Sequence, residues 1–119
     1  MKELEEKFFE DLCRHVEKWS DAAVKAVERP STATWADSAE AFQRLNAKGW
    51  TAEDLKDLKA ILIETADGVL HSTLVSIDGG SALASFGRLE LIDAGARSPL
   101  SDGALHEDFA EYQAQHGLI

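Results

Sequence analysis

The chain has 119 residues, enough for one domain with one core and no need of a metal or disulfide to fold. Its 22 acidic residues against 12 Lys and Arg give a formal net charge of −10, and residues 78–119 alone hold seven acids and two bases. That field argues against nucleic-acid backbones and anionic membranes as partners, because both need a basic patch; it suits a basic protein partner, and it also serves plain solubility.

Residues 3–28 are expected to form a first helix. Leu4, Phe8, Leu12, Val16, Trp19, Ala23 and Val27 recur at steps of four or three, one stripe of a 3.6-residue period. Phe9 and Cys13 widen the stripe. The opposite face carries charges at i,i+4 spacing, such as Asp21 with Lys25, and reads as a solvated face. Pro30 ends the element, since the residue before a proline avoids the helical region. Cys13 is the one cysteine, so no intrachain disulfide forms; its place on the stripe predicts a buried, inert thiol in a reducing compartment. The acidic start Met1-Lys2-Glu3-Leu4-Glu5-Glu6 does not resemble a signal peptide, and no apolar run approaches a membrane span. The expectation is a cytoplasmic protein of bacterial type.

A second helix is expected over 35–48, opened by a capping box at Thr34-Trp35-Ala36-Asp37 and stopped by Gly49. Trp35, Ala39, Phe42 and Leu45 would be its buried stripe. The three tryptophans, Trp19, Trp35 and Trp50, are expected in the core rather than as interface anchors.

The third helix starts at once. Thr51-Ala52-Glu53-Asp54 is a second capping box, with Trp50 and Leu55 at the two positions of a hydrophobic staple. Helical spacing then runs through Leu58, Leu62, Ala66, Val69, Thr73 and Ile77 to Asp78-Gly79-Gly80. A continuous helix would be about 40 Å long at roughly 1.5 Å per residue. The rival is a helix that ends at Asp67-Gly68, with a strand over 69–77.

Beyond a small-residue linker, Arg88–Ile92 alternates like a strand, Asp93-Ala94-Gly95 signals a turn, and Ala96–Leu100 returns as an edge partner restricted by Pro99. A last helix is expected over Leu105–His116, with Leu105, Phe109 and Tyr112 inward and Gly117 as its stop. The fold class is mainly α (α+β): about four helices, a long central third helix and a small hairpin near 88–100.

No catalytic motif is present, and the expectation is a protein without catalytic activity or a cofactor. There is no G-x-S-x-G elbow around any serine, and Asp78-Gly79-Gly80-Ser81 lacks the spacing of a phosphate loop. Two function classes remain. The first is a protein-interaction domain, of inhibitor or immunity type, in which Asp102, Glu107, Asp108 and Glu111 meet the basic side chains of a partner. The second is a metal-binding domain or metal-dependent enzyme. If the last helix packs on the third, His71, Asp78, His106 and Asp108 converge, and two imidazoles with carboxylates suit a divalent metal. Against it stand a histidine bonded to a backbone carbonyl and an aspartate that caps the turn before Gly79-Gly80. A homodimer through the long helix is a third expectation.

Overall fold

In the computed structural model, which describes residues 1–118, helix α1 spans Glu3–Glu28. A short 3-10 turn at Pro30–Thr32 leads to α2, Ala39–Asn46. Helix α3 runs unbroken over Ala52–Ile77, so 69–77 is helix and not strand. A second 3-10 turn at Ala82–Ser85 precedes strands β1, Ile92–Asp93, and β2, Ser98–Pro99, and then α4, Leu105–Gln115. The predicted architecture of four helices, a long third helix and an antiparallel hairpin is the one observed.

The chain forms two compact units. One comprises residues 1–13 and 68–118; the other comprises residues 14–67. Helices α1 and α3 contribute to both.

The first unit is built on Phe9, Leu74, Leu100, Leu105, Phe109 and Tyr112, with Cys13 and Leu70 half-buried beside them. The Phe9 ring lies 5.2 Å from Phe109 and 5.8 Å from Tyr112. Burial of one such ring contributes roughly 1.5–3 kcal/mol. These contacts correct the inner face of α1 at its start. Phe9 and Glu5 point inward, and Leu4 is 49% exposed. The buried stripe thus begins one residue later than the apolar spacing predicts, because Phe9 is the ring that meets α4.

The end of α3 is a Schellman stop. The Gly80 N–H donates to Val75 O at 2.9 Å, the Gly79 N–H donates to Ser76 O at 3.2 Å, and Gly79 sits at φ 83°. A side chain at Gly79 would be strained in that left-handed conformation. The hairpin is shorter than predicted, with Ile92 opposite Pro99 and Asp93 opposite Ser98. Asp93 closes its turn by accepting from the N–H groups of Gly95 and Ala96, Arg97 turns at φ 53°, and Pro99 has no N–H to extend the ladder.

In the second unit the start of α3 follows the sequence closely. The Asp54 N–H donates to Thr51 Oγ1 at 3.0 Å, and the Thr51 N–H donates back to Asp54 Oδ2 at 2.9 Å. The capping box expected at Thr34 does not form, and α2 opens at Ser38 without a side-chain cap. Residues 33–38 turn instead, which seats Trp35 edge-on against Trp19 at 5.4 Å and Phe42 at 5.8 Å. Aromatic contact at that distance outweighs one cap at this helix start. Trp19 and Trp35 are both about half exposed, not core residues, and α2 buries none of its side chains fully. Lys59 holds Glu17 at 2.7 Å and Asp21 at 2.8 Å, and these two acids keep its ammonium above its ordinary pKa. Asn46 donates from Nδ2 to Val27 O and Glu28 O, which satisfies two carbonyls at the end of α1.

One sequence expectation about α3 needs correction. The segment Ala52–Ser85 contains an 18-residue window of mean hydropathy 1.3, so by length and composition this helix is long and apolar enough to cross a membrane. Glu64 and Asp67 break the apolar run into short pieces, which hides that average from a search for an unbroken stretch.

Candidate functional site

The start of α4 is held by a residue from the end of α3. Ala104, at its N-cap, has no side chain that could cap, and Asp78 takes that role across 27 residues of sequence. Asp78 Oδ1 accepts the Leu105 N–H at 3.0 Å, and Oδ2 accepts the His106 N–H at 2.9 Å. His106 Nδ1 lies 2.5 Å from the same Oδ2. Burial pushes the Asp78 carboxyl up, but the His106 N–H, the His106 ring and the Leu105 N–H together outweigh it and hold the group below its ordinary 3.8. Asp78 is therefore an acceptor only, which places the His106 proton on Nδ1. The helix dipole favours the same charge at this end. Asp78 thus caps α4, and not the turn at Gly79-Gly80.

His71 has a different partner. Its Nε2 lies 2.8 Å from Oε1 of the buried Gln113, and its ring lies 5.0 Å from Phe109. The partner of Nε2 is thus the oxygen of a side-chain amide. Asp108 is elsewhere again: Ser101 Oγ donates to its Oδ2 at 2.6 Å. The structure therefore brings together Asp78 and His106 of the four metal candidates and separates His71 and Asp108 from them. Among the described residues, no three His, Cys, Asp or Glu side chains are placed to hold a metal ion. Two ligands fall short of the three or four that zinc sites use. The seven-residue spacing of His71 and Asp78, two turns of α3, accounts for the separation.

Ser76 and Ser81 have structural roles. Ser76 Oγ donates to Ser72 O, and Ser81 Oγ accepts the Leu83 N–H. A cleft of about 590 Å³ is lined by Asp78, Arg88, Leu89, Glu90, Leu91, Ser101 and Leu105, among others. Its charged lining residues are Asp78, Arg88 and Glu90.

A second recess, of about 300 Å³, is acidic. Glu5, Glu6, Asp102, Asp108 and Glu111 all line it. Three of the four residues expected to meet a partner, Asp102, Asp108 and Glu111, are thus in one place. The fourth, Glu107, lies outside it, 4.0 Å from His106 Nε2. Lys2 sits 3.3 Å from Asp102 while it donates to Pro99 O. Glu5 is the residue that sequence reasoning missed. It is 1% exposed, and its Oε2 has no hydrogen-bond partner. Burial raises the Glu5 carboxyl above its ordinary 4.5, a hydrogen bond from Ser101 opposes the shift, and the Asp108 charge adds to it. The available signal was position: Glu5 stands one helical turn before Phe9, on the face that α1 buries.

No protein-family model, no curated protein and no solved structure matches the chain.

Proposed function

We propose that the chain is a non-catalytic protein-interaction domain, of inhibitor or immunity type, that docks a basic partner on its acidic C-terminal surface. The observation that supports it most is the recess between the start of α1 and α4, where five carboxylates gather on a chain of net charge −10. Carboxylates crowded on one face repel each other in the free protein, and a basic partner relieves that repulsion. Such a surface steers a cationic partner at long range and discriminates against anionic ones. In this reading the domain works in the cytoplasm, takes no cofactor, and leaves nucleic acid and membrane aside.

The test compares three versions of the protein for binding of an oligoarginine peptide by calorimetry. One is the natural chain. The second carries Asp102→Asn, Asp108→Asn and Glu111→Gln. The third carries Glu53→Gln, Asp57→Asn and Glu64→Gln, the same charge change on exposed positions of α3. Affinity falls about tenfold or more in the second version and much less in the third. Equal losses in the two would show only a general charge effect and would overturn the proposal.

The metal-binding alternative finds no support in the separated His71 and His106, and the cap formed by Asp78 explains that aspartate without a metal.

A further inference from the structure

The acidic recess contains a group that solubility and long-range steering do not explain. A surface carboxylate is solvated, but Glu5 is 1% exposed and its Oε2 meets no donor. A buried, unpaired carboxyl oxygen is unfavourable in the free protein, and Gln or Leu at this position would remove the charge. Its neighbours remedy the deficit only in part. The Ser101 hydroxyl and the N-terminal ammonium favour the charged form, but burial outweighs them and Asp108 brings a second negative charge.

We infer that the recess around Glu5 is a binding site for a single arginine side chain of the protein partner, with Glu5 and Asp108 as its innermost contacts. This rests on the proposed docking of a basic partner at the acidic surface. The cation class follows from the lining, where Glu6, Asp102 and Glu111 complete the ring with Glu5 and Asp108. A metal ion fits poorly, because no three of these groups converge on one point among the described residues. An ammonium is a compact point charge that one carboxylate can serve. A guanidinium spreads five N–H donors over a planar fork and can bond two carboxylates in different directions at once. The volume of about 300 Å³ lies at the small end of ligand pockets, right for a side chain and small for a folded segment. Inserted there, the guanidinium lies beside Glu5 and Asp108 and offsets their two like charges.

The experiment is a titration of the full chain, followed by NMR of backbone N–H groups, with three probes: Nα-acetyl-argininamide, Nα-acetyl-lysinamide and the uncharged Nα-acetyl-citrullinamide. The arginine probe produces saturable shifts centred on Glu5, Ser101 and Asp108, the lysine probe binds more weakly, and the citrulline probe does not bind. Glu5→Gln, whose spectrum reports its own fold, weakens the arginine probe about tenfold. Glu111→Gln, an exposed change at the rim, weakens it by a smaller factor and serves if Glu5→Gln does not fold. Shifts spread over all acidic faces, equal binding of lysine and arginine probes, or no effect of either substitution would overturn the inference. If oligoarginine still binds the acidic surface in that case, the docking proposal stands and only the arginine site falls. If neither the probe nor the peptide binds, both fall.

Discussion

Asp78 and His106 are joined twice, through the His106 backbone N–H at 2.9 Å and its ring nitrogen at 2.5 Å, so the end of α3 fixes the start of α4. The cap comes from a distant residue because Ala104 has no side chain that could supply one. Asp108 and Glu111, which line the acidic recess, lie on the helix that this joint starts.

Asp78→Ala removes three hydrogen bonds from the helix start and costs about 2 kcal/mol or more at neutral pH, measured by urea unfolding. Asp78→Asn keeps part of the cap and costs less. The sign of the pH effect is fixed by the depressed carboxyl. Its stabilisation is complete above the ordinary 3.8 and is lost as pH falls through the still lower folded value. The penalty of Asp78→Ala therefore shrinks as pH falls below 3.8. A penalty that is the same at acid and neutral pH would contradict the cap.

His71 and Gln113 are a coupled pair. Gln113→Leu removes the amide oxygen 2.8 Å from Nε2 and costs about 1–2 kcal/mol. A double-mutant cycle with His71→Leu recovers part of that loss, with a coupling energy of about 1 kcal/mol. Strict additivity would mean that the two side chains do not depend on each other.

Phe9 and Phe109 have no exposed surface, and truncation of either to Ala costs about 3–5 kcal/mol by loss of burial and formation of a cavity. Phe86 is 90% exposed, and Phe86→Ala stays within about 0.5 kcal/mol of the natural chain. Thermal unfolding of the three variants separates a core aromatic from a surface one.

Glu5→Gln stabilises the free protein by about 1 kcal/mol at neutral pH while it weakens cation binding. The folded carboxyl titrates above its ordinary 4.5, so the folded state binds the proton more tightly than the unfolded chain does. Its unfavourable contribution is absent below 4.5 and grows as pH rises through the folded value. The gain from Glu5→Gln is therefore present at neutral pH and vanishes in acid. If the variant is less stable at neutral pH, Glu5 is a structural residue and not one held in readiness for a ligand.

The parts of the fold that the sequence showed best are those governed by neighbours in the chain. The capping box at Thr51 and Asp54 and the stop at Gly79 form as their residue types require. Local rules failed where a distant contact outweighed them. Trp35 lies in a turn because Trp19 and Phe42 hold its ring, and the α1 face is rotated because Phe9 meets Phe109. The recess was half visible. Charge density pointed to Asp102, Asp108 and Glu111, but Glu5 comes from the other end of the chain, and only the fold brings it to Asp108. Packing of the last helix on the third would allow His71 and His106 to form one site, but His71 Nε2 meets Gln113 and His106 Nδ1 meets Asp78.

The salt dependence of partner binding tests the central claim most directly. Oligoarginine is titrated into the natural chain and into the Asp102, Asp108 and Glu111 triple variant, at about 20 mM and about 300 mM salt, which spans strong to weak screening. The account predicts a steep loss of affinity with salt for the natural chain and a much shallower one for the variant. An affinity that salt leaves unchanged, or the same slope in both proteins, would contradict an acidic docking surface centred on the recess.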